Sequence, residues 1–474
     1  MNHRTGLDRS QTLLFPERLE DYIGAENPVR FLDAFVAKLE LHNLGFAKAR
    51  CANTGRPPYD PAALLKLYLY GYLHRVRSSR SLEAECHRNV EVLWLLGKLT
   101  PDFKTIADFR KDNLKPLQAV ARQFTRLCRK LELFGGELLA IDGSKFAAVN
   151  ARDQNFNADK LQDLIARADA RLAEYFQQLD TADAAEPGAA TLSATELAAK
   201  IAAVQERQDW HKELLAQLDD EQKQVSVTDP DARKLPTAHG TVVGYNAQLA
   251  VDAKHKLIAA DDVTNEGTDL HQLASVALQA KTNLAVRQAE VLADAGYYSA
   301  AEVGRCTEHG LTPFIPKHDT SANTARGLYG KSQLKYDAAK DVYVCPANGT
   351  LTYRFSTYEL GRELKYYRAK GCQVCPLKSR CTRNQANRTI TREANEHLME
   401  AMAARMQQHP EKFKLRKTLA EHPFGTIKRW FGYTHFLLKG LPKVQAEWSL
   451  TTLAYNLKRV LNLVSFEKLM ASVG

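Results

Sequence analysis

Three acidic residues stand in settings that suit chemistry. Asp142 closes the apolar run Leu138-Leu139-Ala140-Ile141 and is followed by Gly143. Asp294 closes a second run, Ala289-Glu290-Val291-Leu292-Ala293, and is followed by Ala295-Gly296. Glu421 lies in a helix-forming stretch just before Pro423-Phe424-Gly425. Carboxylates delivered by the ends of two buried strands, with a third from a later helix, can converge on one sheet edge. Mg2+ prefers such hard oxygen ligands and is usually held by few carboxylates together with substrate phosphates. Two such ions, about 3.5–4 Å apart, clamp the attacking and leaving oxygens of an in-line phosphoryl displacement. Clustered carboxylates repel one another, so at least one should titrate high. Any one Asp in a strand-ending turn is more simply a turn former. The ordered set in basic surroundings is what points to chemistry.

A second constellation is sulfur. Of eight cysteines, Cys345, Cys372, Cys375 and Cys381 fall in one short region with the spacing C-x26-C-x2-C-x5-C. The C-x2-C pair has zinc-knuckle spacing, and the other two would complete a tetrahedral site for a structural Zn2+. The competing reading is free cysteines acting as small core hydrophobes, which the polar, basic residues between them disfavour. His309 and His397 rank below the four thiols as ligands.

The elements that position these residues follow from periodicity. Residues 1–135 read as a helical N-terminal domain. Within it Asp60-Pro61 opens a buried helix carrying Leu64, Leu65, Leu67, Tyr68, Tyr70 and Leu73. At Gly135-Gly136 the pattern changes to an α/β core over 136–310 and 394–474. Its strands are the Asp142 run, Val242 to Val251 with Lys256 to Val263, and the Asp294 run, with a helix from Asp269 to Leu284. The core is interrupted twice, by an acidic helical hairpin at 153–235 and by an irregular, basic, cysteine-bearing insertion at 311–393 with short strand-like pieces such as Asp341 to Cys345. Asp180 to Leu192 reads as the connection within the hairpin, and Trp210 reads as buried.

Charge says what such a core would meet. The net charge is +10 over 474 residues, and it is unevenly spread. Arg405 to Gly474 carries twelve Lys/Arg against four Asp/Glu, and Tyr353 to Glu393 ten against three. Asp153 to Val225 runs the other way, seven against fifteen. Basic regions flanking an acidic insertion imply a polyanion partner. Apolar runs are too short to span a bilayer, and Met1 to Leu13 has no apolar leader, so a cytoplasmic, nucleoid-associated protein is expected. Arg110 and its neighbouring arginines suggest that the N-terminal helices dock on DNA.

Several stretches resemble a known family. AIDGSKF (140–146), VLADAGYYS (291–299) and AEHPFGTIKRWFG (420–432) resemble the three catalytic motifs of DDE transposases. The segments 59–97 and 101–111 resemble the N-terminal domain of these enzymes, and 446–460 their C-terminal tail. The chain is most similar to transposases of the insertion sequence 1182 family, within the broader insertion sequence 5 and 4 type. The resemblance covers nearly everything outside the hairpin. It implies a mixed-sheet, RNase H-like core with catalytic, Mg2+-holding Asp142, Asp294 and Glu421, and Mn2+ able to substitute. It implies cleavage and strand transfer on double-stranded DNA, at the element's inverted repeats and in a target, by a homodimer holding paired ends. Lys428 matches the family lysine expected to touch phosphate. The Tyr and Arg expected seven and four residues before the glutamate are here Lys414 and Lys417. Arg416, Lys417 and Arg429 are therefore the further cations expected at DNA. The competing readings are a catalytically silent, transposase-derived DNA-binding protein and a zinc-containing transcription regulator.

Overall fold

The computed structural model describes residues 18–50, 57–184, 194–219, 223–237, 240–317, 322–359 and 362–474. The leader reading for Met1 to Leu13 and most of the hairpin connection lie outside them.

Five strands build the central sheet: β1 (Leu138–Ala147), β2 (Gly240–Asp252), β3 (Ile258–Thr264), β4 (Ala289–Leu292) and β5 (Leu311–Phe314). Their spatial order is β3-β2-β1-β4-β5. The first three are antiparallel, and β1, β4 and β5 run parallel. A further strand, Arg233–Thr237, pairs with the first residues of β2. The four parallel-strand residues of β4 are apolar save Glu290, as a strand covered on both faces requires. Helices Leu273–Leu284, Ala300–Glu308 and Glu396–Gln408 cover one face, around Leu139, Ile141, Val291, Val276 and Met402.

The other face carries the larger core. Helix Leu441–Leu463 packs on β3, on Leu114–Lys130 and on Pro61–Leu73. It is buried almost all round from Ala446 to Leu457, as an apolar helix enclosed on every side must be. The N-terminal helices share one continuous hydrophobic core with β1–β3 and the C-terminal helices. Local signals set these helices. Asp60, Ser78, Asn89 and Asp102 each accept a backbone N–H at a helix start.

Two sequence expectations are corrected here. Residue 311 does not open an irregular insertion, because Leu311–Phe314 is the outer strand of the central sheet. Beyond it, Lys335–Asp337, Val342–Val344, Thr350–Glu359, Arg362–Ala369 and Thr389–Glu393 form a five-stranded antiparallel sheet. The Thr, Tyr and Phe content of Thr350–Glu359 supplies the β preference that the basic residues obscured. The acidic hairpin consists of helices Ala158–Ala184 and Ala194–Ala216, closed at its base by the pairing of Asn155–Phe156 with Val225–Ser226. Trp210 packs edge-on against Phe156, half-buried. No helix among the described residues is long and apolar enough to cross a membrane.

Candidate active site

Asp142 lies in the middle of β1, not at its end. The strand continues to Ala147 because β2 keeps pairing with it, down to Ala147 opposite Gly244. The parallel ladder to β4 stops at Ala140 opposite Leu292. Asp142 is therefore at the point where one side of β1 loses its neighbour, which opens a notch in the sheet. Asp294 borders this notch, two residues past β4. There it caps a short 3-10 turn, its Oδ1 accepting the Gly296 N–H at 2.8 Å.

Helix Glu411–Gly425 lies across the even-numbered face of β1. Leu419 and Ala420 pack on Ala140, and Phe424 approaches Phe146 with ring centroids 6.3 Å apart. This seating brings Arg416 Nη1 to 3.5 Å from Asp142 Oδ2. A π-helical turn, Thr426–Trp430, then carries the chain on. From it Lys428 donates to Ser144 Oγ at 2.6 Å and to the Lys145 carbonyl at 2.9 Å, its ammonium over the Phe146 ring. Burial and the Lys145 charge lower the Lys428 pKa.

On the opposite face stands a carboxylate that sequence reasoning missed. Asp269 Oδ1 accepts from Asn246 Nδ2 and Gln248 Nε2, both at 2.7 Å, and Lys145 Nζ lies 3.4 Å from Oδ2. Gln248 in turn accepts the hydroxyl of the fully buried Tyr297. The sequence reads Asp269 as the first residue of a helix. The helix begins at Leu273, so Asp269 stays in the preceding loop. Its one legible signal was a position after β3 at the same sheet edge. Gly143 leaves room for this group: a Cβ there would stand 2.4 Å from Gln248 Nε2 and 2.7 Å from Asp269 Oδ1.

Electrostatics follow the geometry. Burial pushes the Asp142 carboxyl up to about 6. Arg416 opposes the shift, and the charges of Asp294 and Asp269 add to it. Glu421 is exposed and lies 3.9 Å from Lys417, one turn earlier on the same helix. Among the described residues no three His, Cys, Asp or Glu side chains stand ready to hold a metal ion. The structure thus gathers Asp142, Asp294 and Asp269 around the notch, with Asp142 paired to Arg416 on one face and Asp269 held on the other, and leaves Glu421 facing solvent.

The other expected DNA contacts divide. Lys417 and Arg429 are exposed. Arg110 is only 6% exposed, its guanidinium 3.3 Å from the Tyr72 hydroxyl and over the Tyr68 ring. Its side chain turns into the core while Lys111 and Asp112 of the same turn are exposed, so Arg110 is not presented for the expected DNA contact. Trp430 is 44% exposed and is flanked by Arg75 and Lys458 at 4.2 and 5.0 Å from its ring. Tyr297 and Phe431 are buried.

Comparison with known proteins bears on both ends of the chain. Residues 17–112 match a family model described as a transposase domain, and residues 344–461 one described as a transposase DDE domain. The second match contains Glu421 and stops short of Asp142 and Asp294. A solved structure, the cryo-EM structure of the piggyBac transposase synaptic complex with hairpin DNA, aligns with 95% of this chain and 80% of that one. The identity is 9% and the TM-score 0.31. No curated protein matches.

Proposed function

We propose that this chain is a transposase that binds the terminal inverted repeats of its insertion sequence, cuts DNA there and transfers the freed strand. The observation that carries the reading is the notch. It holds Asp142 where β4 falls away, Asp294 at its rim, and, laid across it, a helix bearing Arg416 and the solvent-facing Glu421, followed by the turn that bears Lys428. Family matches to transposase domains on both sides support it. An RNase H-like core is consistent with the order β3-β2-β1-β4-β5 and its strand directions. Membership of the insertion sequence 1182 family rests on the motif resemblance.

Asp142, Asp294 and Glu421 are the residues that would hold Mg2+, or Mn2+ in its place. The donors are all carboxylate oxygens: Asp142, whose ionisation is opposed by burial and by the charges of Asp294 and Asp269, and Asp294 stand at the notch, while Glu421 faces solvent and would join them only on turning inward. When bound, the cation supplies charge neutralisation and Lewis-acid polarisation of the scissile phosphate. The protein's own part is to orient and to neutralise. In the first step a water oxygen attacks phosphorus and the 3′-oxygen leaves, taking a proton to become a 3′-hydroxyl. That hydroxyl then attacks a target phosphodiester in line and a target 3′-oxygen leaves. No side-chain nucleophile is needed. Arg416, Lys417 and Arg429 lie on or just past the helix that carries Glu421, where a DNA backbone would pass, and their charge favours phosphate. Lys428, tied to Ser144 and Lys145, holds that helix on β1 and brings a cation within reach of the same strand. Two element ends require two active sites, hence a homodimer on paired ends.

One observation favours the catalytically silent alternative: Arg416 pairs with Asp142 and Glu421 faces away. Incubating the protein with a labelled duplex of the gene's own flanking repeats separates the two. An active transposase cuts at the repeat boundary with Mg2+ or Mn2+ and not with EDTA. Specific binding without cutting under either metal would establish the silent form.

A further inference from the structure

The five-stranded sheet of Lys335–Glu393 is short of core. Its buried apolar side chains are Leu334, Tyr343, Leu351, Tyr367, Ala369 and Ile390. A unit of this size rarely holds itself with so few, and small modules commonly add disulfides or a metal. At one end of this sheet the four clustered cysteines line a single small cavity of about 30 Å³, with Leu351, Ala369 and Arg388. All four are free thiols and half-buried, whereas Cys86, Cys128 and Cys306 lie fully buried in the main cores.

Each thiol is set by a tight local turn. In Cys345-Pro346-Ala347-Asn348-Gly349 the Cys345 N–H donates to the Gly349 carbonyl, and the Asn348 N–H to the Cys345 carbonyl, both at 2.9 Å. Asn348 adopts φ +58°, a left-handed conformation that asparagine tolerates well. Cys372 follows Arg362–Ala369, and its N–H donates to Asn387 Oδ1 at 3.1 Å. The Cys375 N–H turns back to the Cys372 carbonyl, and Cys381 ends the short helix Lys378–Cys381. Arg388 Nη1 donates to the Cys381 carbonyl at 2.7 Å, placing a cation beside the cluster.

We propose that Cys345, Cys372, Cys375 and Cys381 together bind one structural zinc ion, which staples this end of the five-stranded sheet. The donor set is four soft sulfur ligands from two turns and the end of a short helix, the composition of closed structural zinc sites. Among the described residues no such group is already drawn into ligand geometry. The thiols therefore close on the ion by turning about χ1 across the cavity they share, releasing protons as they bind. Arg388 and the nearby Lys378 and Arg380 offset the net negative charge of a tetrathiolate centre. The stapled sheet presents Tyr353, Phe355 and Tyr358, each 45% exposed or more, beside Arg354 and Lys365.

The test uses the full-length chain, purified without a histidine tag or chelator, and its readout is independent of DNA cleavage. Elemental analysis should give about one zinc per chain. Replacement by Co2+ should give the sulfur-to-cobalt charge-transfer and visible bands of a tetrahedral thiolate site. Cys372→Ser and Cys345→Ser should lose both signals, and Cys306→Ser should keep them. Should the serine variants fail to fold, hydrogen exchange on the wild type decides. Chelation should then speed exchange in 335–393 at least tenfold and leave β1 and β4 protected. Zinc below a tenth of an equivalent with no cobalt spectrum overturns the proposal. So do disulfides among the four cysteines, or zinc retained by the serine variants.

Discussion

At the residue scale the account turns on how Asp142 is held. Its carboxyl, pushed up to about 6 by burial, must be ionised to bind a cation. Protons and the cation therefore compete for it, so at sub-saturating Mg2+ cleavage should fall as pH drops through about 6, and the limb should move to lower pH as Mg2+ is raised. Single-turnover pH profiles at several Mg2+ concentrations check this, and a limb that does not move with Mg2+ would contradict it. Asp261 is a carboxyl of similar pKa outside the notch. Burial pushes it up to about 6, against the hydroxyls of Ser449 and Thr452 that donate to it. A raised carboxyl favours the fold most below its unfolded pKa, and that contribution is lost as pH rises from about 4 to about 6. Asp261→Asn should thus raise stability at pH 7.5 by on the order of 1–2 kcal/mol, and the gain should vanish toward pH 4 in thermal melts. Gly143 marks the tightest point of the site. Gly143→Ala should displace Gln248 and Asp269 and cut cleavage at least tenfold, with DNA affinity nearly unchanged in a binding titration. Asp269 itself was missed, because a lone Asp ahead of an apolar helical run reads as the start of that helix and its partners Lys145, Asn246 and Gln248 lie on β1 and β2.

At the element scale, legibility followed the strength of the local pattern. The buried runs leading to Asp142 and Asp294, and the capped helix after Asp60, carry their own periodicity and stop signals. The continuation of β1 past Asp142 was not visible, because Gly143-Ser144-Lys145 has no apolar alternation and is held as strand by β2. Within 311–393 only short strand-like pieces such as Asp341 to Cys345 were legible. The exposed positions of the sheet mix charged residues with Tyr353, Phe355 and Tyr358, which masks the alternation that buries Tyr343, Leu351, Tyr367 and Ile390 on one face. Between strand and helix, the Lys428 bonds to Ser144 and Lys145 are the clamp that keeps the Glu421 helix on β1. Lys428→Met keeps the apolar stem and removes the donors. It should cost about 1–3 kcal/mol in denaturant unfolding and lower cleavage more than Lys417→Met does.

At the scale of the whole molecule, the N-terminal helices are joined to the long C-terminal helix and the loop before it by a buried charge network. Glu447, fully buried on the central C-terminal helix, accepts the Leu437 and Leu438 N–H groups. It also pairs with Arg77 at 3.3 Å, and Arg77 lies over the Tyr433 ring. Tyr433 in turn donates to the Tyr72 carbonyl of an N-terminal helix. This joint explains why reading 1–135 as a separate unit missed its shared core, since residue 447 lies over three hundred positions from its partner. Glu447→Ala strands the Arg77 charge and two amides, and should destabilise the protein by about 3–5 kcal/mol in chemical denaturation. Glu447→Gln keeps part of the hydrogen bonding and should cost less.

The central claim is that Asp142, Asp294 and Glu421 act together at one cation-dependent centre. The most direct measurement is single-turnover cleavage of the flanking-repeat duplex by Asp142→Asn, Asp294→Asn and Glu421→Gln, each with its DNA affinity measured in parallel. The account predicts that all three bind like the wild type and that each loses cleavage by a hundredfold or more. Glu421→Gln cutting at the wild-type rate would contradict it, and would leave the exposed glutamate outside the centre that the notch defines.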